Sequence, residues 1–82
     1  MSAADRLLKL ESHPLRVIKN VDNKYSVNYE NSHIKGNGVL YGRWGIGDTF
    51  EEACEDYLNI ISGETLVFNA FVEDMRTEVK VL

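Results

Sequence analysis

The sequence predicts a small α+β domain with a short N-terminal helix, an antiparallel three-stranded sheet, one amphipathic helix and one or two further strands. Three observations predict this class. Apolar and polar residues alternate before residue 45, a capped apolar stripe covers residues 49–63, and a β-rich apolar run follows it. The expected core is therefore β-β-β-α-β.

The 82 residues, 44% of them hydrophobic, are enough for one domain with a modest core. We divide the chain into an N-terminal helix over residues 1–12, a core over residues 15–71, and a C-terminal turn and strand over residues 72–82.

The first element is a short helix over residues 2–11. Ser2 is a suitable N-cap, Leu7 and Leu8 share a face with Ala4, and Pro14 ends the helix.

Three extended segments are predicted next. Residues 15–21 are rich in β-branched side chains, and residues 24–30 alternate with tyrosines and a valine on one face. The third segment covers residues 34–44 and is interrupted by Gly36-Asn37-Gly38. That interruption is either a bulge or a turn that splits the strand.

The amphipathic helix has the clearest signals. Thr49 and Glu52 form a capping box, and Gly63 stands where a left-handed C-terminal cap is expected. The apolar positions repeat at helical spacing: Phe50, Ala53, Cys54, Tyr57, Leu58 and Ile61.

After this helix we predict a strand over residues 65–71, a turn at Glu73-Asp74 and a strand over residues 77–82. The rival interpretation is a second helix, because four apolar residues also have helical spacing: Phe68, Phe71, Val72 and Met75.

The central part of the chain resembles the small N-terminal domain of HicB-type antitoxins. That family shows a Y-x-V strand and then G-x-T-x-E-E-A at the start of the helix. The matching residues here are Tyr25, Val27, Gly47, Thr49, Glu51, Glu52 and Ala53. The resemblance covers residues 15–70 and implies a truncated ribonuclease-H-like sheet with a helix on one face. It also implies a protein-binding platform rather than an enzyme.

The chain also resembles short proteins encoded by bacteriophages and prophages of Gram-positive bacteria, through its GETLVFNA and TEVKVL segments. This second resemblance assigns no activity. The antitoxin resemblance favours an inhibitor or antitoxin-like regulator that occludes a protein partner, either a host protein or another component of the same mobile element.

Few residues suggest catalysis or ligand binding. A single cysteine, Cys54, excludes an intrachain disulfide and favours a reducing, cytoplasmic setting. The two histidines lack the spacing of metal ligands, and the glycines before the helix match no phosphate-binding motif. We therefore expect a binding protein rather than an enzyme, with no metal, no cofactor and no membrane partner. A minimal enzyme is the third hypothesis, with Asp22, Glu30 and Asp48 as candidate acids at strand ends.

Charge is divided along the chain, with +3 over residues 1–46 and −7 over residues 47–82. We expect an acidic helix face that docks on a basic protein partner, with nearby aromatic and arginine anchors. The candidate residues are Glu51, Glu52, Glu55, Asp56, Tyr41, Arg43 and Trp44. A homodimer through an edge strand at residues 77–82 is a further expectation.

The second hypothesis is a single-stranded nucleic-acid-binding protein, in which sheet aromatics stack on bases and cations hold the backbone. Its candidate residues are Tyr29, Trp44, Lys24, Lys35 and Arg43. The pI near 5.0 argues against it, because nucleic-acid binders are usually basic.

Overall fold

The computed structural model describes residues 2–10 and 14–81. Over the described residues the chain has the predicted α+β class. It forms two α-helices and seven strands: α1 (Ala3–Leu10), β1 (Leu15–Lys19), β2 (Tyr25–Tyr29), β3 (Ser32–Gly36), β4 (Val39–Tyr41), β5 (Gly45–Gly47), α2 (Phe50–Ile61), β6 (Thr65–Phe68) and β7 (Thr77–Lys80). A 3₁₀-helix, Glu73–Met75, lies between β6 and β7.

The strands form two antiparallel sheets. Sheet A has the order β1-β2-β5, and sheet B has the order β4-β3-β6-β7. The predicted three-stranded antiparallel sheet is confirmed as sheet A, but its third strand is β5 rather than the chain segment that follows β2 directly.

The predicted strand over residues 34–44 is divided by a turn. Asn37 and Gly38 have φ values of 53° and 78°, which join β3 and β4 as a hairpin in sheet B. A bulge, the other possibility left open by the sequence, is therefore absent at this point. The chain then returns to sheet A, where Gly45 pairs with Val27 on β2.

The core lies between α2, sheet A and the inner residues of sheet B. The predicted alternation in β2 is confirmed, because Val27 and Tyr29 are fully buried on the side of α2. The Tyr29 ring meets the rings of Tyr57 on α2 and Phe68 on β6 edge-on, each at 5.7 Å between centroids. One tyrosine thus links the helix and both sheets.

The capping box predicted for α2 is confirmed. The Thr49 hydroxyl accepts the backbone N–H of Glu52 at 3.1 Å, and the Glu52 carboxylate accepts the backbone N–H of Asp48 at 3.2 Å. Four residues of the predicted apolar face are buried: Ala53, Cys54, Tyr57 and Ile61. Leu58 is partly buried against the core, and Phe50, placed on that face by its spacing, is exposed instead as the first residue of the helix.

Strand β5 lies unusually close to α2. A Cβ atom built on Gly45 would stand 2.2 Å from the backbone oxygen of Ala53, and one on Gly47 would stand 2.5 Å from the Ala53 nitrogen. No real Cβ atom tolerates such distances, so glycine is the residue that lets strand and helix backbones touch. This contact places α2 across β2 and β5.

The terminal elements follow the prediction with shorter bounds. Strand β6 ends at Phe68, and Asn69 turns the chain with a φ of 54°. The rival second helix is therefore wrong, apart from the 3₁₀ turn. Strand β7 pairs with β6 and lies at the edge of sheet B, as expected, while residue 82 falls outside the described residues. The predicted N-terminal helix is α1, and residue 11 likewise lies outside them.

Candidate functional site

Three of the four acids expected to form a free helix face are hydrogen-bonded within the fold. Glu51 accepts the backbone N–H of Ala3 and so ties α1 to α2. Glu52 belongs to the capping box. Asp56 accepts the backbone N–H of Ile46 on β5 at 2.9 Å. These carboxylates hold secondary structure elements together, so they are less available to a partner.

Glu55 is the fourth acid, and it is exposed. It lines a surface groove of about 350 Å³ between α1 and α2, together with Arg6 and Leu10. No hydrogen bond or ion pair of its side chain is found within residues 2–10 and 14–81. One free carboxylate is a much weaker electrostatic feature than the acidic face that the sequence suggested.

The expected anchors are divided between the sheets. Tyr41 lies on β4 in sheet B, where its ring covers Gly36. Arg43 and Trp44 lie in the segment that leads into β5 of sheet A, and both are exposed. Arg43 and Trp44 line one surface groove, and Tyr41 is not among the described residues that line it.

Sheet A has one face against α2 and one face that no described element covers, and we call the second the open face. Because side chains alternate along strands, the register places on it every residue that points away from α2. The central groove of this face is lined by Arg16, Ile18, Asn20, Ser26, Asn28, Trp44 and Ile46. By the same alternation, Lys24, Glu30 and Asp48 lie at its margins.

Three large apolar side chains stand on the open face. Trp44 is 53% exposed, Ile46 48% and Ile18 41%. Ile18 and Ile46 both face Ser26, from opposite neighbouring strands, so the two isoleucines flank the middle strand. A shallow groove of about 360 Å³ lies among these residues. A small apolar surface with a tryptophan at one side is thus presented to solvent.

The charged residues of this face are unevenly placed. The central groove is lined by Arg16 and no acid, whereas Glu30 lies beside Arg16 at the margin and Asp48 is paired with Lys24.

A second groove of about 360 Å³ lies on the other side of Trp44 and Ile46 and is lined by Arg43, Ile60 and Asp56. The Asp56 carboxylate already accepts a hydrogen bond from the backbone N–H of Ile46. Trp44 and Ile46 therefore form a ridge between two grooves, with one arginine lining each groove.

The residues proposed for nucleic-acid binding are not assembled into one surface. Tyr29 is fully buried, so its ring cannot stack on a base. Lys24 forms an ion pair with Asp48, which raises the pKa of the lysine through a hydrogen bond. Lys35 pairs with Glu78 at 3.3 Å. Arg43 and Trp44 are the members of the set that stay exposed near each other.

Sequence reasoning missed Ile18 and Ile46. The sequence places Ile18 in a predicted strand but not in a binding surface. Ile46 lies between two glycines, where no apolar periodicity identifies it as a surface residue. A signal was available in β2, where Ser26 and Asn28 alternate with the buried residues and so mark a face turned away from the core.

Two further observations concern metal binding and membrane-spanning helices. Within residues 2–10 and 14–81, no three side chains of His, Cys, Asp or Glu come together in a way that could hold a metal ion. Across the same residues, neither α-helix combines the length and the apolar character needed to cross a membrane.

Comparison of the chain with protein-family profiles, with curated proteins and with solved structures found no match.

Proposed function

We propose that this chain is a protein-interaction module that binds an acidic surface of a partner protein through the open face of sheet A. The observation that carries the proposal is the group formed by Ile18, Trp44 and Ile46, half-exposed around a groove that is lined by an arginine and no acid. A module of this size acts by covering a surface of its partner.

The energetics of the open face suit binding. Full burial of an exposed large aliphatic or aromatic side chain contributes roughly 1.5–3 kcal/mol. Ile18, Trp44 and Ile46 are about half exposed, so covering them contributes roughly half of that each and supplies a hydrophobic centre. Tryptophan and arginine are the residue types most enriched among side chains that dominate binding energy. Arg16 and Arg43 flank the apolar group and favour approach of a negatively charged partner.

The resemblance to the small domain of HicB-type antitoxins supports the same class of function. We extend the proposal accordingly to an inhibitor or antitoxin-like regulator encoded by a phage or another mobile element and acting in the cytoplasm. The proposed contact surface differs from the sequence-based one, because the helix acids mostly serve the fold and the apolar group lies on the opposite side of sheet A.

Single-stranded nucleic acid is the second candidate ligand of the same face, and Trp44 with Arg43 is the observation that favours it. Its support is weaker, because Lys24 and Lys35 are already paired with carboxylates.

The test uses two double variants. Trp44→Ala with Ile46→Ser alters the open face, and Val39→Ser with Tyr41→Ala alters exposed residues of β4 on sheet B as a matched control. Each protein is immobilised, exposed to lysate of the encoding organism with and without nuclease, and every captured protein is then purified and titrated. We expect a partner that the control binds as the parent does and that the open-face variant binds about tenfold or more weakly.

Equal binding by both variants would disprove the open face as the contact surface. The single tryptophan separates the two ligand classes, because Trp44 emission reports directly on this face. A blue shift with the purified partner and no response to a single-stranded oligonucleotide supports the proposal. Capture that disappears with nuclease, together with quenching by the oligonucleotide, would instead support the nucleic-acid function.

A further inference from the structure

Strand β1 is an edge of sheet A with outward-facing backbone groups. The backbone N–H of Asn20 donates to Lys24, and that of Glu30 donates to Pro14, at 2.8 and 2.9 Å. In an antiparallel pair, alternate residues bond to the neighbour. Even-numbered residues of β1 therefore bond to β2, while the N–H and C=O groups of Leu15, Val17 and Lys19 point away from the sheet.

The opposite edge of sheet A is closed in a way that β1 is not. There the outward N–H of Ile46 donates to the Asp56 carboxylate, and α2 packs against the glycines of β5. Within the described chain, β1 pairs only with β2, and Val17 is exposed in the middle of its free edge. A free edge of five residues extends for about 17 Å.

Charged side chains often protect such an edge from other strands. Lys19 is poorly placed for that role, because its ammonium lies 5.7 Å from the centre of the Tyr25 ring on β2 and so is drawn over the sheet. Arg16 points to the open face. Neither cation covers the backbone groups around Val17.

We infer that β1 accepts an extended acidic segment of the partner protein as an added antiparallel strand. This inference rests on the proposed function, since it states how the partner engages the open face. An added strand would place alternate side chains beside Arg16 and Ile18 and would continue the face that carries Trp44.

The charges on β1 decide the kind of occupant. The strand carries Arg16 and Lys19 and no acid. A second copy of β1 would bring two more cations, and none of the four would gain a partner. An acidic segment instead supplies carboxylates opposite both cations and apolar residues opposite Leu15, Val17 and Ile18. We therefore assign the edge to a foreign acidic strand rather than to a homodimer.

The probe is a blocked peptide with the core Glu-Val-Val-Glu-Val, whose residues lie opposite positions 19 to 15 of β1. Three analogues accompany it. One has lysine in place of both glutamates, one is N-methylated at the residue opposite Val17, and one at the residue opposite Ile18. In the added strand, the methyl group opposite Val17 blocks an N–H that would donate to β1. The methyl group opposite Ile18 blocks an N–H that faces away from β1.

We expect the parent peptide and the analogue methylated opposite Ile18 to bind alike, and the other two analogues to bind about tenfold or more weakly. Amide hydrogen exchange should slow about tenfold or more at Leu15, Val17 and Lys19 when the parent peptide is bound. Absent binding by the parent peptide, equal binding by both methylated analogues, or unchanged exchange at these amides would each overturn the inference.

A protein variant separates this inference from the proposed function. Val17→Pro removes an outward N–H and no bond to β2, so circular dichroism should show an unchanged fold. We expect it to lose the peptide. If Val17→Pro still binds the natural partner while the Trp44→Ala, Ile46→Ser variant does not, the strand inference fails and the proposed function stands. If instead Val17→Pro loses the natural partner and the Trp44→Ala, Ile46→Ser variant keeps it, the open face is rejected as the contact surface and the strand inference stands. The methylated peptides decide the question even if the proline variant does not fold.

Discussion

The Asp56 carboxylate on α2 accepts a hydrogen bond from the backbone N–H of Ile46 on β5, with 2.9 Å between oxygen and nitrogen. This N–H faces away from β2, at the outer edge of sheet A. The bond therefore closes that edge and fixes the strand segment that presents Ile46 and Trp44 on the open face. A residue that looks like part of an acidic binding surface in the sequence serves to position the opposite surface.

Replacement of Asp56 by alanine should lower the free energy of unfolding by about 0.5–1.5 kcal/mol, because the Ile46 N–H exchanges a charged acceptor for water. Urea unfolding followed by circular dichroism measures the change. The neighbouring Glu55→Ala is the matched control, since Glu55 is exposed and makes no such bond among the described residues; its effect should stay within about 0.5 kcal/mol. Equal losses in the two variants would contradict the structural role of Asp56.

Helix α2 was predictable from sequence because its signals are local. The capping box of Thr49 and Glu52 joins residues three apart, and the apolar face repeats within twelve residues. The alternation of β2 was predictable for the same reason. Each of these patterns is contained within a few turns or a few strand residues, so no knowledge of the rest of the fold is needed.

The division into two sheets was not predictable from such patterns. The chain leaves sheet A after Tyr29 and returns to it at Gly45, so the partner of β2 depends on contacts that are distant in sequence. The decisive feature is the approach of β5 to α2, which Gly45 and Gly47 permit. In the sequence, glycines before a helix are equally compatible with an ordinary loop.

The candidate site was predictable only in part. Trp44 and Arg43 were identified by residue type, and both are exposed beside the open face. The acids were misjudged because composition cannot tell a free carboxylate from one that accepts a backbone N–H, as Glu51 and Asp56 do. That distinction appears only when the elements are packed together.

Substitution of Gly45 by alanine should prevent the normal packing of β5 on α2. The added Cβ would stand 2.2 Å from the Ala53 oxygen and 2.4 Å from the Tyr57 nitrogen, both backbone atoms that cannot move independently. We expect a loss of about 3 kcal/mol or more, at the upper end of overpacking effects. Thermal unfolding measures it.

Gly42→Ala is the control for that substitution, because a Cβ there meets nothing within 4 Å and the glycine has no positive φ. Its stability should be unchanged or slightly higher. If Gly45→Ala is tolerated as well as Gly42→Ala, the close contact between β5 and α2 is wrong.

The fluorescence of Trp44 should reveal the sign of charge around the open face. Because Arg16 and Arg43 line the two grooves beside Trp44, iodide should quench the emission more efficiently than caesium, relative to free N-acetyltryptophanamide. The preference should shrink as salt is added, since the Debye length falls from about 10 Å at 0.1 M to about 3 Å at 1 M. A preference for caesium would indicate an acidic environment and contradict the proposed charge of the face.

The buried thiol of Cys54 should make the fold sensitive to alkaline pH. Burial, with a smaller contribution from the charge of Glu51, raises the pKa of Cys54 from 9.0 to about 11. Because the folded thiol holds its proton more tightly than the unfolded one, its contribution to stability is complete below pH 9 and is lost as the pH rises through about 11. Burial also raises the pKa of Tyr57, which acts in the same direction.

The contribution of the thiol is measured by urea unfolding of the parent chain and of Cys54→Ala, each at about pH 8 and about pH 10.5. Tyr57 is present in both proteins, so its effect cancels in the comparison. The parent should lose more stability between the two pH values than the variant does, by up to about 2 kcal/mol. In parallel, the folded thiol should react with iodoacetamide far more slowly than the unfolded one, since the thiolate is the nucleophile and Cys54 is fully buried. Equal alkaline losses in the two proteins, or rapid alkylation of the folded chain, would show that Cys54 is not the buried, protonated thiol that packs against the core.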